Sequence, residues 1–216
     1  MPNWCSNYIR INGDARTISI IKSACERCAE KDEKIFRNLI DIPTHMTNEQ
    51  YEKDWYDTNV NWFGTKWDVN YTSCGFEYSD NEIIMSPETA WSPPIQFLEN
   101  LVKQYKGIEA YIFYSEPGIG FSGETKIYRD EDGHTIVDDS EYPYLEGIYL
   151  LDKELFWNSE LESMIDSARY ELVDEDDEVK TIDEAKIVEY VNDNFDFVTD
   201  EDKETIIKQF KEELND

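Results

Sequence analysis

The apolar positions change their period along the chain, and each change predicts an element. Residues 6–12 alternate, with Tyr8 on the face opposite Ile9 and Ile11, and run into Gly13-Asp14, which predicts a strand and a turn. Residues 15–30 place Ile18, Ile21, Cys25 and Cys28 at helical spacing. Residues 33–42, 65–71 and 82–88 read as strands, with a loop or short helix inserted over residues 45–61. Residues 93–105 read as a helix whose first turn accommodates Pro94 and whose Ile95, Leu98, Leu101 and Val102 face inward. Residues 108–116 alternate cleanly, and residues 120–129 pair with them or with a further strand at 134–137. The order β-α-β-β-α-β predicts an α+β sandwich, two helices on one face of an antiparallel sheet.

Beyond about residue 140 the period becomes helical. Residues 159–168 form a weak amphipathic stretch. Thr181-Ile182-Asp183-Glu184 has the form of a capping box with Thr181 as N-cap, ahead of a stripe of Ile187, Val188, Val191 and Phe195. Thr199-Asp200-Glu201-Asp202 opens a second helix, striped by Ile206, Ile207, Phe210 and Leu214. The expected division is therefore a sandwich domain over residues 1–140 and a mainly helical, acidic extension over 141–216.

Charge sharpens this division. The chain holds 49 acids and 20 bases, a formal net charge of −29. Up to Ile127 there are 19 acids and 12 bases; from Tyr128 onward there are 30 and 8. Such a surface repels phosphate backbones and anionic membranes, so direct nucleic-acid or membrane binding is not expected. At 40% hydrophobic residues the chain still has the material for a core, which argues against wholesale disorder. No apolar run approaches the roughly 18 residues that span a bilayer, and the first residues lack the pattern of a secretory signal. A cytoplasmic location with reduced cysteines is expected.

Three separated segments resemble a known family. Met1-Pro2-Asn3-Trp4-Cys5-Ser6-Asn7, Asn61-Trp62-Phe63-Gly64-Thr65-Lys66-Trp67-Asp68 and Thr89-Ala90-Trp91-Ser92-Pro93-Pro94 are similar to the YubB-type ferredoxin-like domain of bacteriophages and conjugative plasmids. Tyr114-Ser115-Glu116-Pro117-Gly118 and Gly120-Phe121-Ser122-Gly123 fit the same pattern, over about residues 1–135. Phe63 departs from it, because Trp and Gly are adjacent there. The resemblance implies a ferredoxin-like fold and a mobile-element origin. It implies no activity and supplies no catalytic residues.

The candidate chemistry is sparse. Cys25-Glu26-Arg27-Cys28 is a CxxC on the inner face of an expected helix, without the second pair that a structural zinc needs, so inert buried thiols are expected rather than a metal or redox site. Gly118-Ile119-Gly120-Phe121-Ser122-Gly123 matches G-x-G-x-x-G, but a strand follows it where a dinucleotide site needs a helix N-terminus. Asp130-Glu131-Asp132-Gly133 lacks the ligand pattern of a calcium loop and reads as a hairpin turn. His45 and His134 have no legible catalytic partners. No catalytic constellation, metal or cofactor is expected. Tyr111, Phe113 and Phe121 would suit the base-stacking sheet of an RNA-binding domain, yet the domain lacks that sheet's basic residues.

Two candidate binding surfaces remain. Trp62, Trp67 and Trp91 would either pack the core or line an aromatic groove for a small ligand or substrate. The carboxylates Glu171, Asp174, Glu175, Asp176, Asp177, Glu178, Glu184, Glu189, Asp193, Asp200, Glu201 and Asp202 would form an acidic face. Rows of carboxylates compete for grooves built for DNA, which presents one charge per about 1.7 Å. The function expected is a non-enzymatic binding protein, its acidic helices mimicking nucleic acid toward a basic host protein or nucleic-acid-binding complex. Counter-defence is the expected setting. A self-associating accessory protein is the further alternative.

Overall fold

The computed structural model describes residues 3–42, 48–172 and 182–214. The chain divides into two compact units, Met1–Tyr144 and Leu145–Asp216.

In the first unit, β1 (Trp4–Gly13) is the central strand. Asp14 stops it and caps α1 (Ala15–Lys31), accepting from the Arg16 and Thr17 N–H groups and from the Thr17 hydroxyl. Those three donors favour the ionised carboxylate and hold Asp14 below the usual range. The inner face of α1 buries Ile18, Ile21, Cys25 and Cys28, as the helical spacing predicts. Burial pushes the Cys25 thiol up to about 12, as it does those of Cys5 and Cys74, which keeps them protonated and unreactive.

Between α1 and the next long strand the sequence reading fails. Residues 33–42 hold α2 (Phe36–Leu39), a single helical turn, rather than a strand. The cause lies 32 residues away: the Asp68 carboxylate accepts from the Phe36, Arg37 and Val69 N–H groups at 2.7–2.9 Å, so it caps the turn from outside its own segment. Residues 65–71 are likewise no strand; their one ladder contact is a bridge from Asn70 to Lys34. The insertion is α3 (Asn48–Phe63), followed by a 3-10 turn at Tyr71–Ser73 and by β2 (Glu77–Tyr78). His45 lies outside the described residues.

The expected strand at 82–88 is two, β3 (Glu82–Met85) and β4 (Glu88–Ala90). Both pair with β1 in one continuous register, from Asn12↔Glu82 to Trp4↔Ala90. Pro87 interrupts the ladder because it lacks an N–H. The Asn7 side chain repairs the gap, donating to the Cys5 and Pro87 carbonyls at 2.8 Å. α4 (Ile95–Gln104) follows, burying Phe97, Leu98, Leu101 and Val102. The antiparallel meander β5 (Ile108–Glu116), β6 (Phe121–Arg129) and β7 (Thr135–Pro143) completes the sheet. Arg129 joins this meander to α4, donating to the Val102 and Lys103 carbonyls at the helix end and to the Gly133 carbonyl in the hairpin turn.

The sheet order is β2-β3-β1-β5-β6-β7, with β4 beside β1. The four strands β2-β3-β1-β5 with crossovers through α1 and α4 are the ferredoxin-like arrangement; β6 and β7 extend it. Alternation puts Cys5, Ile9 and Ile11 on the face that packs with α1 and α4, and leaves Trp4, Ser6 and Arg10 exposed on the other.

The second unit starts where β7 ends, four residues beyond the compositional boundary, because β7 runs on to Pro143. It contains α5 (Tyr144–Leu151), α6 (Lys153–Leu155), a π-turn at Phe156–Glu160, α7 (Leu161–Leu172), α8 (Glu184–Asn194) and α9 (Asp200–Leu214). Its core is aromatic: Phe156, Phe195 and Phe210 are fully buried, and Tyr149 meets Phe156 edge to face. The N-cap of α8 is Asp183, which accepts from the Ala185 N–H, two residues later than the capping box predicts; Thr181 lies outside the described residues. Thr199 caps α9, its hydroxyl accepting from the Asp202 N–H. Among the described residues, no helix is long and apolar enough to cross a membrane.

Candidate binding surfaces

The four family-like segments converge at one end of the sheet. Trp4 opens β1 and pairs with Ala90 of β4. The loop after α3 carries Gly64 through Trp67, and the turn from β4 into α4 carries Trp91. Hydrogen bonds lock these pieces together: the Trp91 N–H donates to the Asn3 carbonyl (3.0 Å), the Thr65 hydroxyl to Ala90 (3.0 Å), the Ser92 hydroxyl to Gly64 (2.6 Å), and the Thr89 hydroxyl to Ser92 (2.8 Å). Gly64 has φ +81°, a conformation that favours glycine, and a Cβ there would have to push the Gln96 amide aside. The fourth segment reaches the same place. Buried Glu116 accepts from the Gly118 and Ile119 N–H groups, and a Cβ on Gly118 would meet the Asn3 side chain at 2.8 Å.

The result is an exposed aromatic platform. Trp4, Trp67 and Trp91 are 46%, 37% and 40% exposed, so Trp67 and Trp91 are not core residues. Trp4 and Trp67 lie with ring centroids 5.8 Å apart. The Lys66 ammonium bridges the other pair, 4.8 Å from the Trp67 ring and 4.4 Å from the Trp91 ring. Trp91 has φ +74°, a left-handed conformation that a bulky side chain rarely adopts. The hydrogen bonds on both sides of it hold that strain.

The expected trio is thus corrected. Trp62 packs against the core, and its carbonyl accepts from Asn100. Trp4 takes its place, and Lys66 joins. The signal for Trp4 was present: it is in phase with exposed Ser6 and Arg10 along β1. No sequence signal brings Lys66 to Trp91.

The base-stacking alternative fares poorly. Tyr111 and Phe113 do share the outer sheet face, but the Tyr111 hydroxyl donates to Glu124 at 2.8 Å, and Phe121 lies on the inner face against Tyr114. The G-x-G-x-x-G run is the β5–β6 turn and leads into a strand. Asp130, Asp132 and His134 close the β6–β7 turn, where the Asp130 carboxylate accepts from the His134 N–H.

The acidic candidates of the second unit divide by environment. Glu189 and Asp193 lie on the solvent face of α8, beside Ala185, Val188 and Asn192 in a shallow groove. Glu171, Asp200 and Glu201 are exposed. Glu184 is engaged by Lys211 at 2.6 Å. Asp202 accepts from the Tyr149 hydroxyl (2.6 Å) and from Lys153 (3.2 Å), contacts that hold its carboxyl below the usual range. Asp202 therefore serves its own fold. Asp174, Glu175, Asp176, Asp177 and Glu178 lie outside the described residues.

Comparison with known proteins adds the following. Residues 45–148 match the family described as the ferredoxin-like domain in Api92-like protein. A crystal structure of the protein api92 from Yersinia pseudotuberculosis aligns over 66% of this chain and 98% of its own, at 12% identity and a TM-score of 0.40. No curated protein matches the chain. The match reaches to residue 148 and so includes the β5–β6–β7 meander. Over residues 45–148 the chain is similar to the ferredoxin-like domain of Api92-like proteins.

Proposed function

We propose that this protein is a non-enzymatic binding protein and that the tryptophan platform of its ferredoxin-like unit is the recognition surface. One observation carries the reading: a bulky residue, Trp91, is held in a left-handed backbone and displayed 40% exposed beside two further exposed tryptophans. Stability alone would place glycine at that φ and would bury the indoles. Strain maintained by hydrogen bonds from three segments is the mark of a surface kept for a purpose. Exposed, rigid tryptophans are the side chains that dominate binding energies.

A second reading is the acidic mimic. It is favoured by Glu171, Glu189, Asp193, Asp200 and Glu201, which face solvent on a unit whose own core needs none of them. In that reading the acidic helices occupy the nucleic-acid groove of a basic host protein. The YubB-type motifs favour a phage or plasmid setting, in which such a protein disarms a defence complex in the host cytoplasm.

A salt series separates the two. A partner captured from nuclease-treated extract through the platform stays bound as sodium chloride rises from low to about 0.5 M, because desolvated indole contacts are screened little. A partner held by carboxylates is released over the same range. Salt release of the wild-type complex, together with loss of capture when Glu189, Asp193, Asp200 and Glu201 are changed to their amides, would overturn the platform reading.

A further inference from the structure

The chemistry that the platform accepts is written in what already occupies it. In a chain with 49 acids, a lysine has many carboxylates to choose from. Lys22, Lys103, Lys126, Lys153, Lys208 and Lys211 each lie against one. Among the described residues Lys66, like Lys31, Lys34, Lys106 and Lys203, forms no such pair; what sets it apart is that its ammonium lies against two rings, those of Trp67 and Trp91, where Lys22, Lys126 and Lys153 each meet one. Two indole faces at 4.4 and 4.8 Å around one nitrogen make two walls of an aromatic cage. Trp4, 5.8 Å from Trp67, stands beside them.

We propose that this is a cage for a methylated ammonium group, and that Lys66 is its resident occupant, displaced when the ligand enters. The inference rests on the platform being a binding surface. A quaternary nitrogen suits the rings better than Lys66 does. Its charge is spread over methyl groups that can be stripped of water cheaply, whereas a primary ammonium remains strongly hydrated. The field of a chain with net charge −29 concentrates cations at its surface and repels anions, which decides against the opposite choice, an anionic ring compound held by Lys66. The rim hydrogen bonds fix the cage walls before binding, so little ordering is lost when the ligand arrives.

The competition between Lys66 and ligand supplies the test. The full-length protein is titrated with tetramethylammonium chloride at constant ionic strength, and the indole N–H resonances of Trp4, Trp67 and Trp91 are followed by NMR. The expected result is saturable shifts at these three indoles. In Lys66→Met the stem still packs but the charge is gone, and the affinity should rise by roughly tenfold, the scale of two exposed cation–π contacts. The uncharged isostere 3,3-dimethylbutanol should shift the same signals at least about tenfold less tightly. N-acetyl-trimethyl-lysine amide and choline, compared in parallel, distinguish a modified protein side chain from a lipid-type headgroup as the source of the same chemistry. Unchanged or weaker binding by Lys66→Met, or equal binding of the neutral isostere, would overturn the cage. Loss of extract capture in Trp67→Ala/Trp91→Ala is a separate readout, so the platform can stand while the cage falls.

Discussion

Trp91 shows how a single residue can invert an expectation. Its position at the mouth of a helix, among alternating apolar residues, argues for burial, and full burial would make Trp91→Ala cost about 3–5 kcal/mol. With the ring 40% exposed, the loss should be on the order of 1–2 kcal/mol by chemical denaturation. The backbone makes a sharper prediction. Glycine tolerates φ +74° and alanine does not, so Trp91→Gly should be at least as stable as Trp91→Ala. In an ordinary strand or helix the order is reversed. Alanine more stable than glycine by about 1 kcal/mol would mean that the left-handed turn is not strained.

At the scale of elements, the readable segments were those whose cause is local. Alternation in Ile108–Glu116 and the 3.6-residue stripe of α1 follow from side chains within the element, and both lie where their patterns place them. The unreadable ones depend on distant groups. Residues 33–42 look like a strand until Asp68 supplies the cap that makes Phe36–Leu39 helical. The platform is a mixed case: Trp67 and Trp91 are conspicuous in the sequence, whereas the turn that joins them through Lys66 needs contacts among segments as far apart as residues 3 and 91. Asp68 itself makes a pH prediction. Burial outweighs its three N–H donors and pushes its carboxyl from 3.8 up to about 6. The folded chain thus holds this proton more tightly than the unfolded chain. Its favourable contribution is complete below about pH 4 and is lost as pH rises through 6. The thermal midpoint of the wild type, measured relative to the non-titrating Asp68→Asn variant, should therefore fall between pH 4 and 6.5. A difference that is flat across this window would mean that the carboxyl titrates normally.

For the whole molecule, two compact units sit on one chain, and the ferredoxin-like unit has a complete core of its own. A fragment ending at Tyr144 should unfold cooperatively. One ending at Asp139 should be less stable, because it loses the end of β7 and the bonds that tie Tyr144 to Gly120 and Ser122. A molten 1–144 fragment would contradict the division. The central claim, recognition through the tryptophan platform, is tested most directly by comparing partner capture by the wild type and by Trp67→Ala/Trp91→Ala, at equal concentration and with matched circular dichroism. The account predicts that the folded double variant loses capture by at least about tenfold, the scale of a binding hot spot. Undiminished capture by that folded variant would contradict it.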